Sequence, residues 1–194
     1  MWPVTAESTP SVNRQPMSSM QIRVVVLVVL AVVVGVVLWL VLGHSSKGKQ
    51  RGKTYKTIGP IAFSSKNLKQ ESHFIHTRFF WAGPQQGDTY EFTRDRNGYL
   101  FVRYLPHGIH PGAKGAHYLI VVTYPFPGGY QALKHQAKSN ALPGPDQSIV
   151  FQRPHDKKSV LMAFPGQDYQ IEVFDPSPAV ALATARSGKI KLIG

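Results

Sequence analysis

Histidine is the side chain here best suited to chemistry, and the spacing of the eight present gives two groupings: His73 with His76, and His107, His110 and His117 within LPHGIHPGAKGAH. A neutral imidazole ligates Zn²⁺ or Cu²⁺. Positions i and i+3 share a face on a helix but have opposite parity on a strand. Residues 73–81, HFIHTRFFW, are rich in aromatic and β-branched types and read as a strand, which separates His73 from His76. The second grouping lies in a Gly- and Pro-rich loop able to fold its rings around one ion, so His107, His110 and His117 are the candidate metal ligands. Against them stands the lack of a nearby carboxylate to orient the rings, the nearest in sequence being Asp95 and Asp146.

Other reactive patterns are missing from the chain. It contains no G-x-S-x-G elbow, no phosphate-binding G-x-x-x-x-G-K-[ST], no G-x-G-x-x-G and no H-E-x-x-H. An S-x-x-K match at Ser46 and Lys49 falls in a flexible stretch where nothing preorganises a nucleophile. With no cysteine, disulfides, thiol catalysis and Cys-based zinc sites are excluded together. No cofactor is expected, and an enzyme is the less favoured class.

The element that positions everything else is residues 24–42, VVVLVVLAVVVGVVLWLVL, which carry no charge. As a helix this run spans roughly 29 Å, against a hydrocarbon core of ~30 Å. A helix satisfies its own backbone polar groups, as lipid requires. Eleven of the nineteen residues are Val, a strand former, but strands rarely exceed ten residues, so length decides for a transmembrane helix. It is too long for the apolar region of a cleaved signal, and no cleavage pattern follows it. Trp39 suits the interface, and Ala31 with Gly35 gives a small-xxx-small spacing through which two copies of the helix can pair.

Topology is contested between two rules. Lys47, Lys49, Arg51, Lys53 and Lys56 follow the span, while Arg14, Arg23 and Glu7 precede it. Positive charge favours the cytoplasmic side. Long domains nevertheless translocate with little regard to charge, and a start at Met17 or Met20 gives a compact signal anchor (MQIRVVVL) as an alternative to Met1. Export of the C-terminal portion across the plasma (inner) membrane is the expectation. The five basic residues make the segment beside the bilayer both a flexible stalk and a candidate contact for anionic lipid, together with Trp39. Of the net charge of +12, residues 57–194 carry fifteen basic and nine acidic side chains. No basic stripe interleaved with aromatics runs along one element, so nucleic acid is not an expected partner.

Residues 58–194 are long enough for one core. Residues 88–94 alternate; Asn97-Gly98 then signals a hairpin through a type I′ turn, with residues 99–105 returning. Residues 117–124, HYLIVVTY, read as a central strand covered on both faces. Further strands are expected over 148–152, 159–164, 169–174 and, at an edge, 189–193, with helices over 129–141 and 179–186. The fold class is therefore α+β: one N-terminal transmembrane helix, then one mainly antiparallel β-sheet domain with two short helices. Its divisions are a tail (1–23), the span (24–42), a basic linker (43–57) and the domain (58–194).

Aromatic residues give the last clue. Phe79, Phe80 and Trp81 are consecutive and cannot all face one side of a strand. Either both faces are covered or part of the cluster waits for a partner, so these three, with Tyr124 and Phe126 of the Y-P-F-P stretch, are the candidate partner-binding residues. No resemblance to a known family attaches to particular residues. The expected function is a membrane-anchored, non-enzymatic binding or assembly protein of the cell envelope, contacting an envelope or secreted protein, with interception of a toxin as one form. The alternative is an anchored hydrolase or metal-binding protein using the His107, His110 and His117 loop.

Overall fold

The hairpin signalled by Asn97-Gly98 forms where the sequence places it, through a different turn. Gly98 alone of the pair is left-handed, with φ 82°. Its N–H donates to the Asp95 carbonyl (3.1 Å), and the Asp95 N–H donates to that of Tyr99 (3.0 Å). Asp95 Oδ1 accepts from the N–H groups of Asn97 and Tyr99, each at 2.9 Å. A three-residue loop closed by a left-handed glycine thus replaces the two-residue type I′ turn. The ring of Tyr55 lies so near that a Cβ on Gly98 would approach it to 2.7 Å.

The computed structural model describes residues 54–74 and 77–194. The tail, the apolar segment 24–42 and the basic stretch as far as residue 53 lie outside the described residues. Among the described ones, no helix is long and apolar enough to cross a membrane.

The domain is mainly antiparallel β-sheet with a few short helices. Its strands are β1 (Ile58–Phe63), β2 (Phe79–Trp81), β3 (Thr89–Arg94), β4 (Leu100–Leu105), β5 (Ile120–Pro125), β6 (Leu142–Pro143), β7 (Ile149–Gln152), β8 (Ser159–Ala163), β9 (Tyr169–Phe174) and β10 (Lys191–Ile193). Eight of them run in the order β1-β3-β4-β5-β9-β8-β7-β6, while β2 and β10 pair separately as a two-stranded ribbon. The central position expected for 117–124 is held by β5, whose Val121, Val122 and Thr123 are buried. Helices α2 (Gly129–Ala137) and α3 (Pro178–Arg186) fall where periodicity puts them. Pro178 opens α3, as its fixed φ allows, although the Ser177 hydroxyl makes no capping bond.

Part of the expected strand over 73–81 is replaced. Ser65–Phe74 form a helix, α1, and His73 sits in its last turn, so only Phe79–Trp81 are extended.

Strand parity sorts the side chains into two cores. Tyr90 and Phe92 of β3, Val102 and Tyr104 of β4, Val121 of β5 and Ile171 and Val173 of β9 face the larger core, which the β2–β10 ribbon and Ala181 and Ala185 of α3 complete. Phe92 lies between Phe63 and Phe79, its ring centroid 6.2 and 5.1 Å from theirs. On the opposite face, α2 sets Leu133 and Ala137 against Ile149, Phe151, Leu161 and Ala163. The rest of that face, over β3, β4, β5 and β9, mixes apolar side chains such as Phe101 and Val122 with polar ones.

Candidate functional site

Two polar clusters occupy this second face. Glu91 and Arg103 are directly opposed across β3 and β4. Glu91 is 2 % exposed, and Arg103 Nη1 donates to its Oε1 at 2.6 Å. The second carboxylate oxygen accepts from the Gly112 N–H (2.6 Å). Arg103 Nη2 donates to the carbonyls of Ala113 (2.6 Å) and Gly115 (3.1 Å) and to the Tyr118 hydroxyl, whose ring centre lies 4.9 Å from the guanidinium carbon. One ion pair therefore pins the loop that leads from β4 to β5.

That loop carries the candidate metal ligands. His107, His110 and His117 are all exposed. Among the described residues, no three His, Asp or Glu side chains converge where one ion could sit.

The second cluster gathers Tyr124 of β5, Ser159 of β8, Glu172 of β9 and Arg153, which follows β7. Tyr124 donates to Glu172 Oε2 (2.5 Å), and the Ser159 hydroxyl donates to Oε1. Arg153 Nη2 donates to both Ser159 Oγ (2.9 Å) and Glu172 Oε1 (3.0 Å). A serine beside a carboxylate has the outline of a nucleophile and its base. Ser159 is only 1 % exposed, however, and both oxygens of Glu172 are already occupied by Tyr124, Arg153 and the serine itself. The arrangement fixes strands; it does not present a reacting group.

Burial, then the charge of Glu172, pushes the Tyr124 hydroxyl well above the ordinary tyrosine value, and burial likewise raises Tyr104 and Tyr99. A phenol whose folded value is raised contributes stability below the unfolded value of 10.0, lost as pH climbs through the folded value. The melting temperature is accordingly expected to fall between about pH 10 and pH 12, and less so in Tyr124→Phe. A melting temperature flat over that range would contradict the burial of these hydroxyls.

The other candidates fare differently. Phe79, Phe80 and Trp81 are 1, 3 and 8 % exposed, so they do not form an open partner-binding patch. Phe79 and Trp81 pack on Phe92 and Tyr90, while Phe80 packs on Phe164 and Tyr169, which accounts for three consecutive buried aromatics. Tyr124 and Phe126 are half-buried. Lys56 is exposed, and its carbonyl accepts from Arg94 Nε (3.0 Å). Trp39, Lys47, Lys49, Arg51 and Lys53 lie outside the described residues.

Compared with known proteins, the chain matches no family model, no curated protein and no solved structure.

Proposed function

We propose that this protein is a membrane-anchored, non-enzymatic binding or assembly component of the cell envelope. Its domain acts outside the cytoplasm through contacts with an envelope or secreted protein, an intercepted toxin among them. The observation that carries this reading is how the charges within the sheet are used. Glu91 and Glu172 are each held by an arginine and further donors, so both maintain the domain's shape. The apolar run 24–42 and the basic stretch behind it supply the anchor and its contact with anionic lipid.

The test is protease accessibility of residues 58–194 in spheroplasts, followed by crosslinking of the full-length chain in its membrane. Digestion from outside and a discrete crosslinked protein are the expected results. Protection until lysis would overturn the location. A metal-dependent hydrolytic activity abolished by His107→Ala with His110→Ala would overturn the non-enzymatic class in favour of the alternative.

A further inference from the structure

Resting on that binding reading, we infer that the outer edge of β10 is a docking site for an extended, acidic segment of a partner protein, added as a third strand to the β2–β10 ribbon. Strand edges present unpaired N–H and C=O groups, and proteins guard them. Of the four sheet edges among the described residues, three are guarded. The β1 edge contains Pro60 and a register shift between Ile58 and Ile61. The β6 edge is two residues long and ends in Pro143. On the outer side of β2, the Phe80 N–H donates to Thr123 Oγ1 (2.9 Å) and the Ala82 N–H to the Tyr104 hydroxyl (2.6 Å).

Those two bonds also fix which way β10 faces. Because Phe80 and Ala82 direct their N–H groups to the large sheet, Phe79 and Trp81 direct theirs to β10, where they pair with Ile193 and Lys191. Leu192, between them, therefore turns its N–H and C=O outward. Among the described residues, β10 has a partner strand on one side only.

Two open cavities lie in succession along this edge and share Leu192. The first, of about 280 Å³, is floored by Phe80, Phe164 and Ile190, with Asp146 and Lys191 at its rim. The second, of about 230 Å³, lies by Ile193, Gly194 and His73. Side chains two apart on an added strand share a face at roughly 6.6–6.8 Å spacing, the interval at which successive cavities are filled in strand addition.

Charge selects the occupant. Lys189 at the start of the edge, Lys191 within it and Arg78 beside Gly194 at its end are all exposed. Among the described side chains, the carboxylate lining these cavities, Asp146, is already paired with Lys191 at 2.8 Å. An acidic strand would therefore meet the cations of Lys189 and Arg78 at its two ends, with the Lys191–Asp146 pair between them.

The probe is a Val-Glu octapeptide of alternating sequence, with a Val-Lys octapeptide as control, added to the full-length protein in nanodiscs. Fluorescence anisotropy gives affinity, and amide exchange reports Leu192. Saturable binding of the acidic peptide with slowed exchange at Leu192 is expected, weakened roughly tenfold in Lys189→Glu with Arg78→Glu at unchanged melting temperature. Equal binding of both peptides, or binding that leaves Leu192 exchange unchanged, overturns the proposal. If crosslinks to an envelope protein persist but map away from β10, this edge is wrong and the binding reading stands; if no crosslinked protein forms, that reading fails first.

Discussion

Replacing Arg103 with alanine is expected to lower the unfolding free energy by about 3–5 kcal/mol, because it leaves the carboxylate of Glu91 buried without its cation. The Gly112 N–H would still reach Glu91, but one amide does not replace a guanidinium. The loss has a spatial signature as well. Ala113 and Gly115 give up the donor that holds their carbonyls, so amide exchange across residues 106–117 should rise more than elsewhere. Removing both charges in Glu91→Gln with Arg103→Met should recover much of the stability while the loop stays loose, since neither an orphaned charge nor the pin remains. Denaturant titration with residue-resolved exchange checks both halves. A loss below ~1 kcal/mol for Arg103→Ala, the magnitude of a surface pair, would mean that Glu91 is hydrated and the loop held by other means.

Phe92→Ala should be comparably severe, at about 3–5 kcal/mol, for a different reason. Phe92 is 1 % exposed and joins three elements: its own strand, Phe63 of β1 and Phe79 of the β2–β10 ribbon. Truncation opens a void that the sheet backbone cannot collapse to fill, and it removes the contact seating the ribbon on the sheet. A domain of ordinary stability, roughly 5–15 kcal/mol, would lose a large fraction of it. Ile61→Ala on neighbouring β1 is the control: its side chain is 41 % exposed, and a change within about 0.5 kcal/mol is expected. Equal losses for the two variants in a thermal or denaturant melt would refute the assignment of Phe92 to the larger core.

The sheet was legible in the sequence wherever period-2 patterning and turn residues agreed. Residues 169–174 form a strand with the expected bounds, and β3, β4, β5, β7 and β8 lie within three residues of theirs. Helix α1 was not legible: its mean hydropathy is low, and the aromatic stretch beginning at His73 argues locally for a strand that only Phe79–Trp81 adopt. Asn97-Gly98 located the hairpin but not its register. A two-residue turn would set Glu91 opposite Tyr104, whereas the three-residue loop sets it opposite Arg103 and brings the ion pair onto one face. The Glu172 cluster was beyond sequence reasoning for another reason. It depends on β9 lying between β5 and β8, a non-local placement that no local pattern encodes.

That placement of β9 bears on how the chain must be handled while it is being made. Strands β1, β3, β4 and β5 pair as a meander and emerge first from the ribosome, yet β5 gains its second neighbour only when residues 169–174 have been synthesised. In the interval, a strand reading IVVTYP, without a charge, presents an unpaired edge that readily templates association with other chains. The nascent half-domain therefore carries an open sheet edge until the C-terminal strands arrive to close the seam.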